Sequence, residues 1–262
     1  MRTSPKLLLL AGELQSLVRV VHGKCGRGVA TLPRMHRVGA LLVVVACTAA
    51  AVATADGATS PRALRSAILR AALAKHSVHY VTVSTVLGAR TKTIADVAAD
   101  RGIQRVRFSR KGKTGHATTR VVGSTAYIRG DSFALSAYMH LPRSFASRHA
   151  GQWISIPQTS PVYRLGTIDL TFRSFIGDSV PDQRLSVVHG KVAGKTLRGL
   201  RGKARGRSGT FTVFVSRKGA RLPVAGKAVV RGAYPATSRV RMNHWNEPVR
   251  VRAPAHAVPL RG

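Results

Sequence analysis

Chemistry in this chain of 262 residues would have to come from few resources: two cysteines, ten histidines and nine acids, against 43 Lys and Arg. Cys25 and Cys47 both lie in the first fifth of the sequence, which excludes a disulfide-stapled scaffold and a multi-cysteine zinc site. The histidines show no metal pattern. No two stand four residues apart with a carboxylate, and His76 and His79 straddle an expected helix-to-strand change. A serine nucleophile needs a base and an orienting acid, but there is no Gly-x-Ser-x-Gly elbow, and Asp131 before Ser132 reads as a helix cap. Only eight acids follow Cys47, too few to suggest a glycosidase pair, and no Walker or dinucleotide glycine loop occurs. The expectation is a protein that is not an enzyme and carries no cofactor or metal.

Cys47 is the exception, because its neighbours spell out a chemistry. Val44-Val45-Ala46-Cys47 fits the bacterial lipobox, in which the cysteine sulfur receives a diacylglycerol. The acyl chains would anchor the protein at about 0.8 kcal/mol per buried CH₂. The surrounding segment supports export: Arg34 and Arg37 precede residues 38–55 (VGALLVVVACTAAAVATA), which carry no charge and end in small residues. Two alternatives stand beside the lipobox: a plain signal-peptidase site at Ala53-Thr54-Ala55, and an uncleaved anchor helix. Met35-His36-Arg37 makes a compact start for such a signal. Residues 1–34 therefore read as an upstream extension or a disordered basic arm, 35–55 as the signal, and 56–262 as one exported domain. Whether translation starts at Met1 or Met35 stays open.

The elements of the body follow from periodicity. Ser60 as N-cap and Pro61 at the first helical position open a helix with Leu64, Ile68, Ala71 and Ala72 at helical spacing. β-branched and alternating runs at 78–87, 91–99, 103–109, 115–122 and 125–129 predict strands, with Gly88, Gly102, Gly112 and Gly123 as turns between them. Short helices follow: one after Asp131, one from Pro142 to Ala150, and one capped by Thr167. Strands return at 185–193, 195–204, 209–216, 226–233, 237–244 and 248–253. Strands, helices, then strands predict an α+β fold with an antiparallel sheet and helices gathered on one side.

Alternation also accounts for much of the net charge of +34. Arg105 and Arg107 alternate with Val106 and Phe108, Arg239 and Arg241 with Val240 and Met242, and Arg250 and Arg252 with Val249 and Val251. Successive strand residues face opposite ways, so one sheet face is apolar and the other is coated with arginine. Such a surface draws anionic partners. Residues 183–246 hold fifteen Lys and Arg and no acid, peaking at Lys195, Arg198, Arg201, Lys203, Arg205 and Arg207 among glycines. This peak reads either as a head-group-binding loop or as a solvated hairpin. It lacks the aromatic residues that nucleic-acid binding would bring, so no nucleic-acid partner is expected.

Three stretches carry a family resemblance: Tyr127-Ile128-Arg129-Gly130-Asp131-Ser132-Phe133, Gly151-Gln152-Trp153-Ile154-Ser155-Ile156-Pro157, and Arg241-Met242-Asn243-His244-Trp245-Asn246-Glu247-Pro248-Val249. With the signal and Cys47 they resemble the LppX/LprG-type lipoproteins, relatives of the lipoprotein carrier LolA. The resemblance implies a strongly curved antiparallel sheet, a half-barrel, whose concave face is covered by helices. It also implies a cavity between sheet and helices that holds a lipid, in lipid transport or envelope assembly. Phe133, Tyr138, Ile168, Phe172, Phe175 and Ile176 are the candidates to line that cavity, with a packed core as the plainer reading of the same residues. The departure from the family is charge, +28 over residues 47–262 (36 basic against 8 acidic), which suits an anionic head group. Expected partners are a lipid or glycolipid and an anionic membrane surface, for a monomer exported to the outer face of the membrane or the envelope. The alternative is a filled core and a basic face that docks onto anionic membrane or cell-wall polymer.

Overall fold

The computed structural model describes residues 60–160, 162–167, 169–203, 209–231 and 235–260, with the backbone alone at 164 and 165. Helix α1 (Pro61–Leu73) starts where the sequence predicts. Ser60 Oγ accepts from the Ala63 N–H at 3.2 Å, and Pro61 sits in the first turn, where a missing N–H costs nothing. The helix buries Leu64, Ile68 and Ala72.

Five strands follow as consecutive hairpins: β1 (Ser77–Val86), β2 (Ala89–Ala98), β3 (Arg101–Arg110), β4 (Lys113–Val122) and β5 (Thr125–Gly130). Leu87-Gly88 and Lys111-Gly112 are two-residue turns with positive φ at both positions, the geometry that matches strand twist. Gly102 departs from expectation: it is not a turn but lies inside β3. A Cβ there would stand 2.5 Å from the Leu170 carbonyl oxygen, so the close approach of a covering segment requires glycine.

The helical interlude comprises a π-helical turn (Ala134–Tyr138), α2 (Arg143–Arg148), the short strand β6 (Ile154–Pro157), α3 (Tyr163–Gly166) and α4 (Phe172–Ser179). Asp131 caps the first, its Oδ1 accepting from the Ala134 N–H at 2.8 Å while Oδ2 accepts from the His116 N–H at 2.5 Å. Thr167 does not cap the last helix. It closes α3 by donating from Oγ1 to the Tyr163 carbonyl at 2.9 Å, and α4 begins five residues later, after Thr171.

Strands β7 (Gln183–Val192), β8 (Lys195–Lys203), β9 (Gly209–Val215), β10 (Pro223–Val230) and β11 (Ala236–Asn243) complete the antiparallel set. Residues 248–253, expected as a strand, form no ladder. Pro248 and Pro254 bracket them, and proline cannot donate to one. A two-residue strand, β12 (Val258–Pro259), pairs parallel to β6 instead. The result is an open, strongly curved sheet of twelve strands in the order β12-β6-β5-β4-β3-β2-β1-β11-β10-β9-β8-β7, with the helices over its concave side. Among the described residues no helix is long and apolar enough to cross a membrane.

A groove on the concave face and a basic convex face

Strand register sorts the side chains into rows. Tyr80 pairs with Met242 on one side and Ala95 on the other, and the row continues through Gln104, Thr119 and Ile128 to Ile154. Every member is buried, because the helices cover this row: Phe175 of α4 stacks on Tyr80 with ring centroids 4.1 Å apart. The main core cluster lies here, with Phe172, Phe175, Ile176 and Leu170 packed on Val78, Val97, Val121 and Ile156.

Further along the same face, burial splits. On one flank Leu64 and Ile68 of α1 pack on Leu200, Val213 and Val215, with Phe211 partly buried against them. On the other flank Phe133, Ala137 and Tyr138 of the π-helical segment pack on Ala89, Val106 and Phe108. Between these two separate clusters, beyond the buried Val240, the inward side chains of β1, β10 and β11 are only half-buried: the small Thr82, Ser84, Ser238, Ala236 and Ala228, with Val86 and Val230 at the far end. Ser84 Oγ donates to Ser238 Oγ across the strand pair at 2.9 Å. Identical strand faces thus change from sealed to open along their length. The outcome is a half-buried strip between two apolar clusters, which forms a shallow groove relative to the sealed row beside it.

Where the groove meets the sealed row, polar groups gather. Gln104 Nε2 donates weakly to the Tyr138 hydroxyl at 3.5 Å, and the Tyr80 hydroxyl donates to the Asp169 carbonyl at 3.3 Å. Asp169 holds a left-handed backbone, φ 60°, which aspartate tolerates. Its Oδ1 is buried without a hydrogen-bond partner. Burial, reinforced by the charge of Asp178, pushes the Asp169 carboxyl up to about 7. Burial and the nearby Asp169 likewise push the Tyr138 hydroxyl up to about 12, and they raise Tyr80 well above its ordinary value.

The structure distributes the sequence candidates unevenly. Phe133 and Tyr138 form a groove wall, half-buried against Phe108 with centroids 5.7 and 5.6 Å away. Phe172, Phe175 and Ile176 belong to the sealed core, Phe172 meeting Trp245 edge-on at 6.3 Å. Ile168 and Cys47 lie outside the described residues, as do Arg205 and Arg207. Lys195, Arg198, Arg201 and Lys203 are not in a loop. They lie on β8, next to the sheet edge, with Arg198 on the concave side and the other three on the convex side. The glycines between them serve packing: a Cβ at Gly199 would meet the Phe214 ring at 2.8 Å. Asp169, Gln104 and the groove floor were missed by the sequence reading. The only local signal for Asp169 was a lone acid between two aliphatic residues.

The convex face concentrates charge. One row runs Arg201, Thr212, Lys227, Arg239, Val83, Lys92, Arg107, His116, and the next runs Arg241, Val81, Ile94, Arg105, Thr118, Arg129. Lys227 stands directly opposite Arg239, and Lys92 directly opposite Arg107, pairings of like charge that cost stability in an isolated sheet. Near one end of this face a cleft of about 240 Å³ brings His79 and Asp96 together with His244 and Glu247. His79 Nδ1 lies 2.7 Å from Asp96 Oδ1, and His244 Nδ1 lies 2.9 Å from the Glu247 carboxylate. Among the described residues no group of three or more His, Cys, Asp or Glu could hold a metal ion.

No family model matches the chain, and no curated protein matches it. Solved structures with a similar fold include LprF from Mycobacterium bovis, at 14% identity and TM-score 0.49, covering 75% of this chain and 97% of that one. Lipoprotein LppX from Mycobacterium tuberculosis is similar at 17% identity and TM-score 0.45, over 74% of this chain and all (100%) of that one. A LolA superfamily protein from Nitrosomonas europaea is similar at 8% identity and TM-score 0.31, over 72% of this chain and 94% of that one. At such identities the likeness is one of fold alone.

Proposed function

We propose that this is an exported, lipid-anchored, monomeric protein that binds a lipid or another long apolar molecule in the groove between sheet and helices, for lipid transport or envelope assembly. The observation that carries the reading is the split core. Two apolar clusters flank a strip whose side chains face the helices yet stay half-buried. An acyl chain laid along the strip would bury apolar surface at about 25 cal/mol per Å². Phe133 and Tyr138 would bound it on one side, Phe211 on the other, and Cys47 would hold the protein at the membrane. No covalent chemistry is involved. Native mass spectrometry of the protein purified from its exported location tests this. A lipid-sized adduct, lost on denaturation, is the expected result, and an apo mass from every preparation would contradict it.

The convex rows favour a second activity on the same molecule, docking onto an anionic membrane. Five basic side chains in one row and three in the next, all on one sheet face, match a surface of anionic lipid better than any single small ligand. The protein should float with phosphatidylglycerol-containing vesicles and not with phosphatidylcholine alone. At about 1 kcal/mol per basic residue, Arg107→Ala with Arg239→Ala should weaken partitioning by roughly thirtyfold. Equal flotation of the variant would remove the face from the account.

A further inference from the structure

Beside the Tyr80 hydroxyl, over the sealed row, stands a hydrogen-bond acceptor with nothing to accept. Asp169 Oδ1 is buried and unpartnered, while the residue as a whole is half-buried. In a chain with 43 Lys and Arg, no described basic side chain stabilises this carboxylate; the charged neighbour is another acid, Asp178. An orphaned acceptor of this kind costs about 1–3 kcal/mol, more when charged, unless something answers it. The groups around it are the Tyr80 and Tyr138 hydroxyls and, through Tyr138, the Gln104 amide. Gln104 lies one row from Thr82-Thr93-Val106-Ala117, in which Thr82 is half-buried and the other three are buried, and the row beyond holds Ser84 and Ser238.

Resting on the groove reading above, we propose that Asp169, flanked by Tyr138 and Gln104, receives the polar end of the ligand, and that this end donates hydrogen bonds, as a hydroxyl or an ammonium does, rather than being a carboxylate or phosphate. The guest lies with its polar end inward at Asp169 and its chain along the floor past Ser84 and Ser238. The acidic interior opposes the basic exterior: the convex face attracts anions, and the groove end excludes them.

Calorimetric titration of the delipidated full-length protein with dodecylamine, dodecanol and dodecanoate at pH 8 tests this, since the three share one chain and differ only at the polar end. The amine and the alcohol should each bind about tenfold more tightly than the carboxylate. The cationic surface alone would rank the carboxylate first. Asp169→Asn keeps a residue that tolerates positive φ, removes the charge and supplies an N–H. It should weaken amine binding at least fivefold and strengthen dodecanoate, with an unchanged circular dichroism spectrum. Dodecanoate ranking first or level in the unaltered protein, or the same ranking in D169N, overturns the polar-end assignment and leaves the groove standing. No binding of any of the three overturns the groove reading and this inference together.

Discussion

Asp169→Asn should stabilise the protein at pH 8 and change it little at pH 4. The carboxyl has an ordinary value of 3.8 and is pushed up to about 7 in the fold. Between those values the folded state retains a proton that the unfolded state has released. Stability therefore falls as pH rises from about 4 through 7, and the penalty is complete above 7. Its ceiling is about 4 kcal/mol, reduced by whatever solvent reaches the carboxylate. The groups that face it are Asp178 of α4, Tyr80 of β1 and Tyr138 of the π-helical segment, and among the described residues none of them offers a positive charge. Asparagine keeps the Tyr80 hydrogen bond, which goes to the backbone carbonyl. Thermal unfolding followed across pH should show the two proteins diverging between pH 4 and 7 and then running parallel, with the variant melting about 5 °C or more higher at pH 8. Superimposable pH profiles would show that the carboxylate is well solvated in the native state.

Such a residue could not have been found from the sequence, and the reason is physical. Strands β1 to β5 were legible because period-2 alternation and Leu87-Gly88 or Lys111-Gly112 turns are local signals. Helix α1 was legible because Ser60 and Pro61 mark its start. Gly102 misled, since a glycine required by the approach of the Leu170 carbonyl looks in sequence like one that supplies a turn. Residues 248–253 misled because alternation persists there, with Val251 buried between exposed Arg250 and Arg252, while the prolines on either side deny a ladder. The alternating arginines were visible one strand at a time. Their alignment into rows depends on register between strands far apart in the chain, such as β1 and β11, where Val83 pairs with Arg239, and no local pattern encodes that. The groove itself is a difference in burial along a single strand face, and that difference is set by where α1 and the π-helical segment stop.

The second large effect is expected at the groove floor. Ser84 and Ser238 face each other across β1 and β11 on the helix side of the sheet, half-buried and joined by one hydrogen bond. Replacing both with phenylalanine adds two large rings to one spot. In a close-packed interior, overpacking of that size costs about 1–3 kcal/mol or more. In an open groove the rings have room, and a cross-strand aromatic pair contributes roughly 0.2–1 kcal/mol in favour of the fold. The double variant Ser84→Phe, Ser238→Phe should therefore unfold at a temperature equal to or above that of the parent, yet hold no long-chain guest.

Lipid occupancy of the parent and of this double variant, prepared side by side and weighed intact in the gas phase, probes the open strip most directly. The expected spectra show an adduct on the parent and a bare mass on a variant that melts no lower. A variant that unfolds early, or one that carries the same adduct, would mean that no guest lies between α1 and the π-helical segment.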